Sequence, residues 1–317
     1  MLFTRDGLEQ STSEDVARHR AGRFAGLTGT VLDLCCGIGG DLASIGSVVD
    51  GRVIGVDRDE VHAICARHNA TVADAAATDV VVADVADVRV GHATAVFIDP
   101  ARRSGDRRGG SSPPLDWCFG LPVERVCIKA APGLDKEVVP AGWETEFVAD
   151  RRALKEAVLW SPEWSTGARR ATVLPSGDAL VAHPAATRAA VREPGRFLLD
   201  PSPAVTRAGV VAELAGLLGA WQIDERIAFL SADAPLSSPF GRGLVIEASL
   251  PFAVKALIAA LRRLDIGRVE IRRRGLAGDV DDLKRRLRTG GSRVATVILT
   301  RVVDRPWAFV CSDLETP

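Results

Sequence analysis

An apolar run, Thr30–Leu34, leads directly into a glycine-rich turn, and this segment constrains the fold more than any other. The glycines of the turn are Gly37, Gly39 and Gly40. Glycine adopts positive φ angles readily and lets a ligand approach the backbone without meeting a Cβ atom. Because a helical pattern begins at Leu42, the segment predicts a strand, a tight turn and a helix, the opening unit of a nucleotide-binding sheet.

An acidic residue further along supports this prediction. A second apolar run, Val53–Val56, ends in Asp57. An acid at the tip of the second strand, about 20 residues beyond the glycines, is suited to hydrogen bonding with the hydroxyl groups of a ribose. The glycine turn and Asp57 together therefore predict a ligand that contains a nucleoside.

Strand-like and helix-like segments alternate up to about Ala131. The predicted strands are 30–34, 53–57, 80–83, 95–99 and 125–130, with a helix at 60–69. Continuous apolar runs, rather than alternating ones, are typical of strands that are buried on both faces. We therefore expect an α/β fold with a parallel sheet between helices, and with the ligand at the edge formed by the carboxyl ends of the strands.

Short strand-like runs follow at 144–149, 156–160, 170–174 and 179–183. The first two predict an antiparallel hairpin that closes one side of the sheet. The last two flank a turn, Pro175-Ser176-Gly177-Asp178, and predict an added ribbon.

A second domain is expected beyond Glu193-Pro194-Gly195. Its predicted helices are 203–218, 252–264 and 279–288, and its predicted strands are 244–248, 268–273, 294–301 and 307–311. This mixture predicts a smaller α+β domain of ordinary size. The expected organisation is an N-terminal helical segment at 1–29, a ligand-binding domain at 30–192 and the α+β domain at 193–317.

The N-terminal segment has two possible roles. Four of its residues can share one helical face, namely Val16, Ala17, Arg20 and Phe24. That face would pack on the edge of the sheet. Alternatively, Phe3-Thr4-Arg5 and Glu9-Gln10 help to roof the ligand site.

Composition argues against several classes of protein. The formal net charge of −1 gives no global argument for nucleic-acid binding, so any basic surface must be local. The six cysteines have neither a Cys-x-x-Cys pair nor zinc-site spacing, which predicts reduced thiols and no metal. Since no apolar run reaches about 18 residues and no signal sequence is evident, we expect a cytoplasmic protein without a membrane partner.

Basic residues are concentrated in two regions. The loop 102–114 is rich in glycine, serine and arginine, and is either a mobile surface loop or a lid whose arginines meet phosphates. The region 268–301 has ten basic and four acidic residues, and is either a solvated charged face or an anion-binding face.

Asp33 helps to choose among the possible ligands. The turn could hold NAD, FAD or S-adenosylmethionine, but the dinucleotide fingerprint has glycine or alanine where Leu42 stands. A carboxylate near the end of the first strand can face an ammonium group, which S-adenosylmethionine carries and NAD lacks. Asp84, after the third strand, is placed to meet an adenine, and Asp99-Pro100 ends the fourth strand, where the sulfonium of a methyl donor would lie.

With these motifs in order, residues 30–131 resemble a class I S-adenosylmethionine-dependent methyltransferase. The resemblance implies a Rossmann-like sheet with the strand order 3-2-1-4-5-7-6 and an antiparallel strand 7. It implies that Asp57 holds the ribose, that Asp84 and Val85 touch the adenine, and that Asp33 and Gly37 contact the methionine portion. It also assigns five more residues to the cofactor: Cys35, Gly39, Gly40, Asp41 and Arg58.

Nearly the whole chain is similar to bacterial methyltransferases that carry a C-terminal THUMP-like domain. The similarity rests on five motifs: Phe3-Thr4-Arg5-Asp6-Gly7-Leu8-Glu9-Gln10, Cys36-Gly37-Ile38-Gly39-Gly40-Asp41, Asp99-Pro100-Ala101-Arg102-Arg103, Pro132-Gly133-Leu134-Asp135 and Glu270-Ile271-Arg272-Arg273-Arg274-Gly275. THUMP domains are associated with RNA-modifying enzymes, so the resemblance implies a tRNA or rRNA substrate. The oligomeric state stays open.

Asp99-Pro100-Ala101-Arg102 predicts the site of the methyl acceptor. Pro100 stops the strand and fixes φ, so that the Asp99 carboxylate can point into the site and hold an amino or hydroxyl group in line with the methyl group. Enzymes that methylate exocyclic amines usually have a second proline and an aromatic residue in place of Ala101 and Arg102. Since an arginine plane can also stack on a base, amino methylation stays open.

Methylation at pyrimidine C5 is disfavoured. That mechanism needs a cysteine thiolate to attack the base. In pyrimidine C5 methyltransferases, which the Asp99-Pro100-Ala101-Arg102 pattern also resembles, this cysteine follows the fifth strand just before a proline. Here Ala130 and Ala131 precede Pro132. Cys127 falls inside the fifth strand. His62 and His68 are expected at the surface of a helix.

Three functions therefore stay open. The first is an RNA methyltransferase with Asp99, Pro100 and Arg102 at the acceptor. Its RNA contacts would come from Arg103, Arg107, Arg108, Arg272, Arg273 and Arg274. The second is an RNA-binding protein that binds the cofactor without transferring a methyl group, and the third is a small-molecule methyltransferase.

Overall fold

The computed structural model describes residues 1–5, 7, 12–75, 77–102, 111–184, 188–276 and 279–314. It divides the chain into two compact units, Met1–Val181 and Ala182–Pro317. The division falls earlier in the chain than Glu193-Pro194-Gly195. Each unit is built around its own sheet.

The sheet of the first unit has nine strands among the described residues. They are β1 (Thr30–Leu34), β2 (Arg52–Asp57), β3 (Thr78–Val82), β4 (Ala95–Ile98), β5 (Val126–Ala130), β6 (Glu144–Asp150), β7 (Ala153–Trp160), β8 (Arg169–Leu174) and β9 (Asp178–Val181). Their spatial order is β3-β2-β1-β4-β5-β7-β6-β8-β9. The order 3-2-1-4-5-7-6 is thus confirmed.

Strand directions also follow the prediction. Strands β1 to β5 pair in parallel, and β7 runs antiparallel to both β5 and β6. The β8–β9 ribbon extends the sheet beyond β6. The central strands are buried on both faces, since every residue of β4 is inaccessible to solvent. The carboxyl ends of β1, β2, β4 and β5 consequently lie along one edge.

Four helices of this unit matter for the site: α1 (Glu14–Ala21), α2 (Gly40–Gly46), α3 (Glu60–Val72) and α4 (Leu115–Phe119). The Asp59 carboxylate begins α3 by accepting hydrogen bonds from the backbone N–H groups of Val61 and His62. The four residues predicted to share one helical face, Val16, Ala17, Arg20 and Phe24, are all buried, although Phe24 lies in a 3₁₀ turn just after α1. Residues 1–4, in contrast, are not helical.

The second unit contains a seven-stranded sheet within its described residues. Its strands are β10 (Phe197–Pro201), β11 (Trp221–Asp224), β12 (Ile227–Ala232), β13 (Gly241–Pro251), β14 (Ile266–Arg273), β15 (Arg293–Val302) and β16 (Arg305–Asp313), in the order β11-β12-β10-β13-β16-β15-β14. Its helices are α5 (Pro203–Ala208), α6 (Val211–Leu218), α7 (Val254–Arg263) and α8 (Val280–Arg286).

Two details of the second unit differ from the prediction. The helix expected at 203–218 is broken into α5 and α6, because Gly209 takes a left-handed φ of 70° and ends α5. Strands β10, β11 and β12 were not predicted, since such short apolar runs fit a strand, a helix or a loop equally well. Among the described residues of both units, no helix is long and apolar enough to cross a membrane.

Candidate active site

The glycine-rich turn follows β1 as predicted, and its glycines have different tasks. Cys35, Gly37 and Gly39 all take positive φ angles, of 61°, 54° and 82°. A Cβ atom on Gly39 would lie 2.8 Å from the Cα of Ala66 in α3, so this glycine allows the turn to approach that helix. A Cβ atom on Gly37 would meet no atom within 4 Å. Gly37 therefore faces open space, as a ligand-contacting glycine should.

Asp57 is tied to this turn. Its Oδ2 accepts a hydrogen bond from the backbone N–H of Gly37 at 2.8 Å, and its Oδ1 accepts one from the N–H of Asp59 at 2.9 Å. The neighbouring Arg58 is exposed. The two sequence features that predicted a nucleoside site thus meet directly.

Asp84 and Val85 lie just beyond the end of β3. The Asp84 side chain accepts a hydrogen bond from the N–H of Ala86 at 3.0 Å and so begins a short 3₁₀ turn. Asp84 is exposed, whereas Val85 is buried in a core cluster that includes Leu34 of β1. The structure therefore offers a polar group and an apolar surface side by side at the end of β3.

Asp33 is the most unusual group of the site. Its side chain is fully buried, and within the described part of the chain neither carboxylate oxygen has a hydrogen-bond partner. Burial raises the pKa of Asp33 well above its usual range, and the nearby Asp41 and Asp99 raise it further. A buried polar group without a partner is costly, and the ammonium group of a ligand would supply one. The site therefore fits a ligand such as S-adenosylmethionine.

Asp99 follows β4 and has a basic partner that sequence reasoning missed. Its Oδ2 accepts a hydrogen bond from the Nζ of Lys129 on β5 at 2.6 Å. The Asp99 side chain is 34% exposed and that of Lys129 is 16% exposed. The Pro100 that follows is buried. A lysine in a strand that is otherwise apolar was the signal in the sequence that could have revealed the pair.

Thr12 connects this pair to the helix after the glycine turn. The Lys129 Nζ donates to the Thr12 Oγ1 at 2.9 Å, and that hydroxyl donates to the Oδ2 of Asp41 at 3.1 Å. The other oxygen of Asp41 accepts a hydrogen bond from Arg20 at 2.6 Å. Asp41 therefore holds Thr12 and α1 beside the turn, and its predicted contact with the cofactor stays a prediction.

Arg20 is fully buried and joins three elements. It binds Asp41 of α2 and both carboxylate oxygens of Glu156 on β7, and it lies over the ring of Phe97 on β4 at 4.9 Å from the centroid. Burial disfavours its charge, but Asp41 and Glu156 outweigh that effect and raise its pKa. The prediction of a helix packed on the sheet is thus accompanied by a buried ionic network.

The first residues of the chain lie against the glycine turn. The side-chain amide of Asn69 on α3 accepts from the N–H of Leu2 at 2.6 Å and donates to the carbonyl groups of Leu2 and Ile38 at 2.7 and 2.8 Å. Thr4 lies 3.3 Å from the Nε2 of His62, which is half-buried rather than at the surface. These contacts favour the roofing role of the N-terminal residues.

Several predicted site residues lie outside the described residues. They are Glu9, Gln10, Arg103, Arg107, Arg108 and the side chain of Arg102. The two ends of the predicted lid are joined, because Ala101–Arg102 pairs with Ser111–Ser112 in a short antiparallel ladder. Among the described residues, no group of three or more histidine, cysteine, aspartate or glutamate side chains could hold a metal ion.

The three arginines predicted to contact RNA in the second unit have different surroundings. Arg272 and Arg273 are exposed, and Arg272 pairs with Glu270 at 2.9 Å. Arg274 is instead bound to Asp200 at 2.9 Å and lies over the ring of Phe229. Its guanidinium is therefore paired inside the unit, and a contact of Arg274 with RNA stays a prediction.

Comparison with known proteins supplies the family. The model of the family described as RNA cap guanine-N2 methyltransferase matches residues 28–104, and the model described as THUMP domain-like matches residues 241–313. An uncharacterized S-adenosylmethionine-dependent methyltransferase of Mycobacterium tuberculosis is 38% identical over 327 aligned residues, which cover 98% of this chain and 88% of the relative. The protein of the same description in a second strain matches equally well.

A solved structure supports the fold. A protein from Porphyromonas gingivalis W83, assigned to the methyltransferases, superimposes with a TM-score of 0.82 at 20% identity. The match covers 98% of this chain and 83% of that protein. Taken with the glycine turn, Asp57 and the unpartnered Asp33, the 38% identity to the mycobacterial protein means that this chain belongs to the S-adenosylmethionine-dependent methyltransferases with a THUMP-like domain.

Proposed function

We propose that the chain transfers the methyl group of S-adenosylmethionine to RNA, with the acceptor atom held by Asp99. The observation that carries this proposal is the position of Asp99 beside the predicted cofactor site. It follows β4, which pairs in parallel with β1, so that Leu34 lies opposite Ile98 at the same edge as Asp33. A group bound at Asp99 is thereby next to a cofactor bound at the glycine turn.

The residues at this edge suit the parts of the cofactor. Asp57 would bind the ribose hydroxyls, Asp33 the ammonium group and the open backbone at Gly37 the methionine portion. Asp84 and Val85 would take the adenine. When bound, S-adenosylmethionine supplies a methyl group activated by its sulfonium. Cys35, Gly40 and Arg58 stay predicted contacts.

The proposed role of Asp99 is to bind and orient the acceptor. Its Oδ2 is engaged by Lys129, whereas within the described residues Oδ1 has no donor. Oδ1 can therefore accept a hydrogen bond from an N–H or O–H of the acceptor. Holding the nucleophile in line with the methyl group in this way removes much of the entropic barrier to transfer.

Support for RNA comes from the second unit and from the family models. We define the basic surface as six exposed residues of the second unit: Arg268, Arg272, Arg273, Lys284, Arg285 and Arg288. Lys284 and Arg285 lie on α8, and Arg288 follows two residues after its end. Leu283 of this helix and the adjoining Leu287 pack into the same core as Ile271 of β14. Such a surface can bind the phosphates of an RNA.

The proposal is tested by methyl transfer. Total RNA from cells that lack the gene is incubated with the protein and tritiated S-adenosylmethionine, and the Asp99→Asn variant is the control. We expect label in the RNA with the natural protein and a loss of at least about 100-fold with the variant. Label in small molecules alone would contradict an RNA substrate, and full activity of the variant would contradict the role of Asp99.

A second experiment tests the basic surface. The combined Arg272→Ala, Arg273→Ala and Arg288→Ala variant should bind the labelled RNA more weakly and with a smaller dependence on salt. The control is Arg188→Ala with Arg226→Ala, since both arginines are exposed in the same unit but do not belong to the basic surface. Equal loss in the two variants would argue against a specific basic surface.

A further inference from the structure

Lys129 occupies a position where a lysine is costly. It lies in β5 between the apolar strand β4 and the antiparallel β7, and its neighbour Ile128 is fully buried. Lysine is rarely buried unless its ammonium group has partners. Here the ammonium binds Asp99 at 2.6 Å and the Thr12 hydroxyl at 2.9 Å. Neither contact is needed to close the sheet, because the backbone of β5 already pairs with both neighbours.

The surroundings of Asp99 explain why a cation is needed there. Charged or titratable groups approach it from every element around the site: Asp33 of β1, Cys35 of the turn, Asp41 of α2, Arg20 of α1, Lys129 of β5 and Glu156 of β7. The guanidinium of Arg20 is engaged by Asp41 and Glu156. Among the described residues, Lys129 is therefore the cation that contacts Asp99, and two other acids, Asp41 and Glu156, also act on it.

We propose that Lys129 is a positioning residue for methyl transfer, which fixes one oxygen of Asp99 and keeps that carboxylate ionised so that the other oxygen accepts a hydrogen bond from the acceptor. This inference rests on the proposed role of Asp99. A protonated Asp99 would be able to donate a hydrogen bond at the oxygen that carries the proton. The proton on that oxygen would then face the N–H or O–H hydrogen of the acceptor. Asp99 could no longer orient the lone pair of the acceptor towards the methyl group.

Thr12 fixes the direction of Lys129. A hydroxyl has one hydrogen to donate, and the Thr12 hydroxyl donates it to Asp41 while accepting from Lys129. The ammonium of Lys129 is thus held from two sides, by Asp99 and by Thr12. One of its three hydrogens is left over for the acceptor or for water.

The first test is the pH dependence of methyl transfer in the full-length protein. Burial raises the pKa of Asp99, and Lys129 opposes that shift. In Lys129→Met the opposing charge is gone, so the acidic limb of kcat/KM should move to higher pH and kcat should fall roughly 10- to 100-fold. Lys129→Arg keeps the charge and should restore both. The KM for S-adenosylmethionine should change little in either variant.

The second test needs no substrate. The carboxyl carbon of Asp99 is followed by ¹³C NMR as a function of pH, and the resonance is assigned by its absence in Asp99→Asn. Lys129→Met should raise the titration midpoint of Asp99, whereas Lys129→Arg should leave it near that of the natural protein. Thr12→Val, which retains the shape of the side chain, should raise it by a smaller amount.

These outcomes separate the inference from the proposed function. Full activity of Asp99→Asn would contradict the proposed role of Asp99 itself. Inactive Asp99→Asn together with an unchanged pH profile and an unchanged Asp99 midpoint in Lys129→Met would contradict the role of Lys129 alone. Urea unfolding is measured for each variant, because a lower free energy of unfolding would show that a slower methyl transfer comes from a damaged fold.

Discussion

The backbone N–H of Gly37 donates a hydrogen bond to the Oδ2 of Asp57 at 2.8 Å. The glycine turn after β1 and the acid at the end of β2 are therefore one hydrogen-bonded unit, although 20 residues separate them. A ligand that binds Asp57 through its hydroxyls also meets a turn whose shape that carboxylate maintains.

Replacement of Asp57 by alanine should weaken S-adenosylmethionine binding by roughly 10- to 100-fold, because a charged hydrogen-bond acceptor and the support of the turn are lost together. Calorimetric titration measures the affinity. The matched control is Asp59→Ala, which removes an acid two residues away that caps α3 but does not contact the turn. Similar losses of affinity in both variants would contradict a specific role for Asp57.

Alanine at Gly39 and alanine at Gly37 should lower the stability by different amounts. Gly39→Ala should lower the free energy of unfolding by about 2–3 kcal/mol, since the added Cβ atom combines a left-handed φ with a collision against Ala66. Gly37→Ala should cost only about 1 kcal/mol, from the φ angle alone. Urea unfolding measures both values.

Cofactor affinity completes the comparison of these two glycines. Gly37→Ala should weaken S-adenosylmethionine binding more than its small effect on stability explains, because its Cβ atom would occupy the open space where the ligand is expected. A Gly37→Ala variant that binds the cofactor normally would place the ligand elsewhere.

Asn69→Ala should release the first residues of the chain from the site. It leaves the N–H and carbonyl of Leu2 and the carbonyl of Ile38 without their partner, which should cost about 1–3 kcal/mol of unfolding free energy. Hydrogen exchange at the Leu2 and Phe3 amides should become faster. Thr71→Ala, on the exposed side of the same helix, is the control and should leave that exchange unchanged.

The stability of the ligand-free protein should fall as pH rises from the pKa of an aspartate in the unfolded chain to the raised pKa of Asp33 in the folded protein. Burial raises the pKa of Asp33 above that of an aspartate in the unfolded chain, so the folded state binds more protons at intermediate pH. The contribution of this group to the unfolding free energy is therefore lost with increasing pH. Urea unfolding at about pH 5 and about pH 8 should show a steeper decline for the natural protein than for Asp33→Asn.

The same property of Asp33 predicts proton release. If an ammonium group binds the ionised carboxylate, S-adenosylmethionine binding releases a proton at any pH at which Asp33 is protonated in the ligand-free protein. The apparent enthalpy of binding should then depend on the ionisation enthalpy of the buffer. This dependence should weaken in Asp33→Asn, and its persistence there would mean that another group releases the proton.

The apolar runs were sufficient to predict a parallel sheet, and the resemblance to class I methyltransferases implied the order of its strands. Buried parallel strands appear as unbroken apolar runs, and parallel strands bring Asp33, Asp57 and Asp99 to one edge without any knowledge of side-chain contacts. The break at Gly209 could also have been predicted from the sequence, since a glycine inside a helical pattern lowers helix propensity.

The contacts between side chains that are distant in the sequence could not be predicted in the same way. Lys129 meets Asp99 across 30 residues, and Asn69 meets Leu2 across 67. Such pairs depend on how elements pack, which local periodicity does not record. Asp41 illustrates the point: its place after the glycines suggested a cofactor contact, but it did not reveal that Asp41 binds Arg20 and Thr12.

Thr12 lies between the helix that follows the cofactor turn and the lysine that holds Asp99. A shift of α2 when the methyl donor binds would be transmitted to Asp99 through three hydrogen bonds, which join Asp41 to Thr12, Thr12 to Lys129 and Lys129 to Asp99. Any such coupling is reciprocal, because a donor that improves the affinity for the acceptor must itself be bound more tightly when the acceptor is present. The hydroxyl of one threonine thus gives the enzyme a physical basis for cooperative, rather than independent, binding of its two substrates.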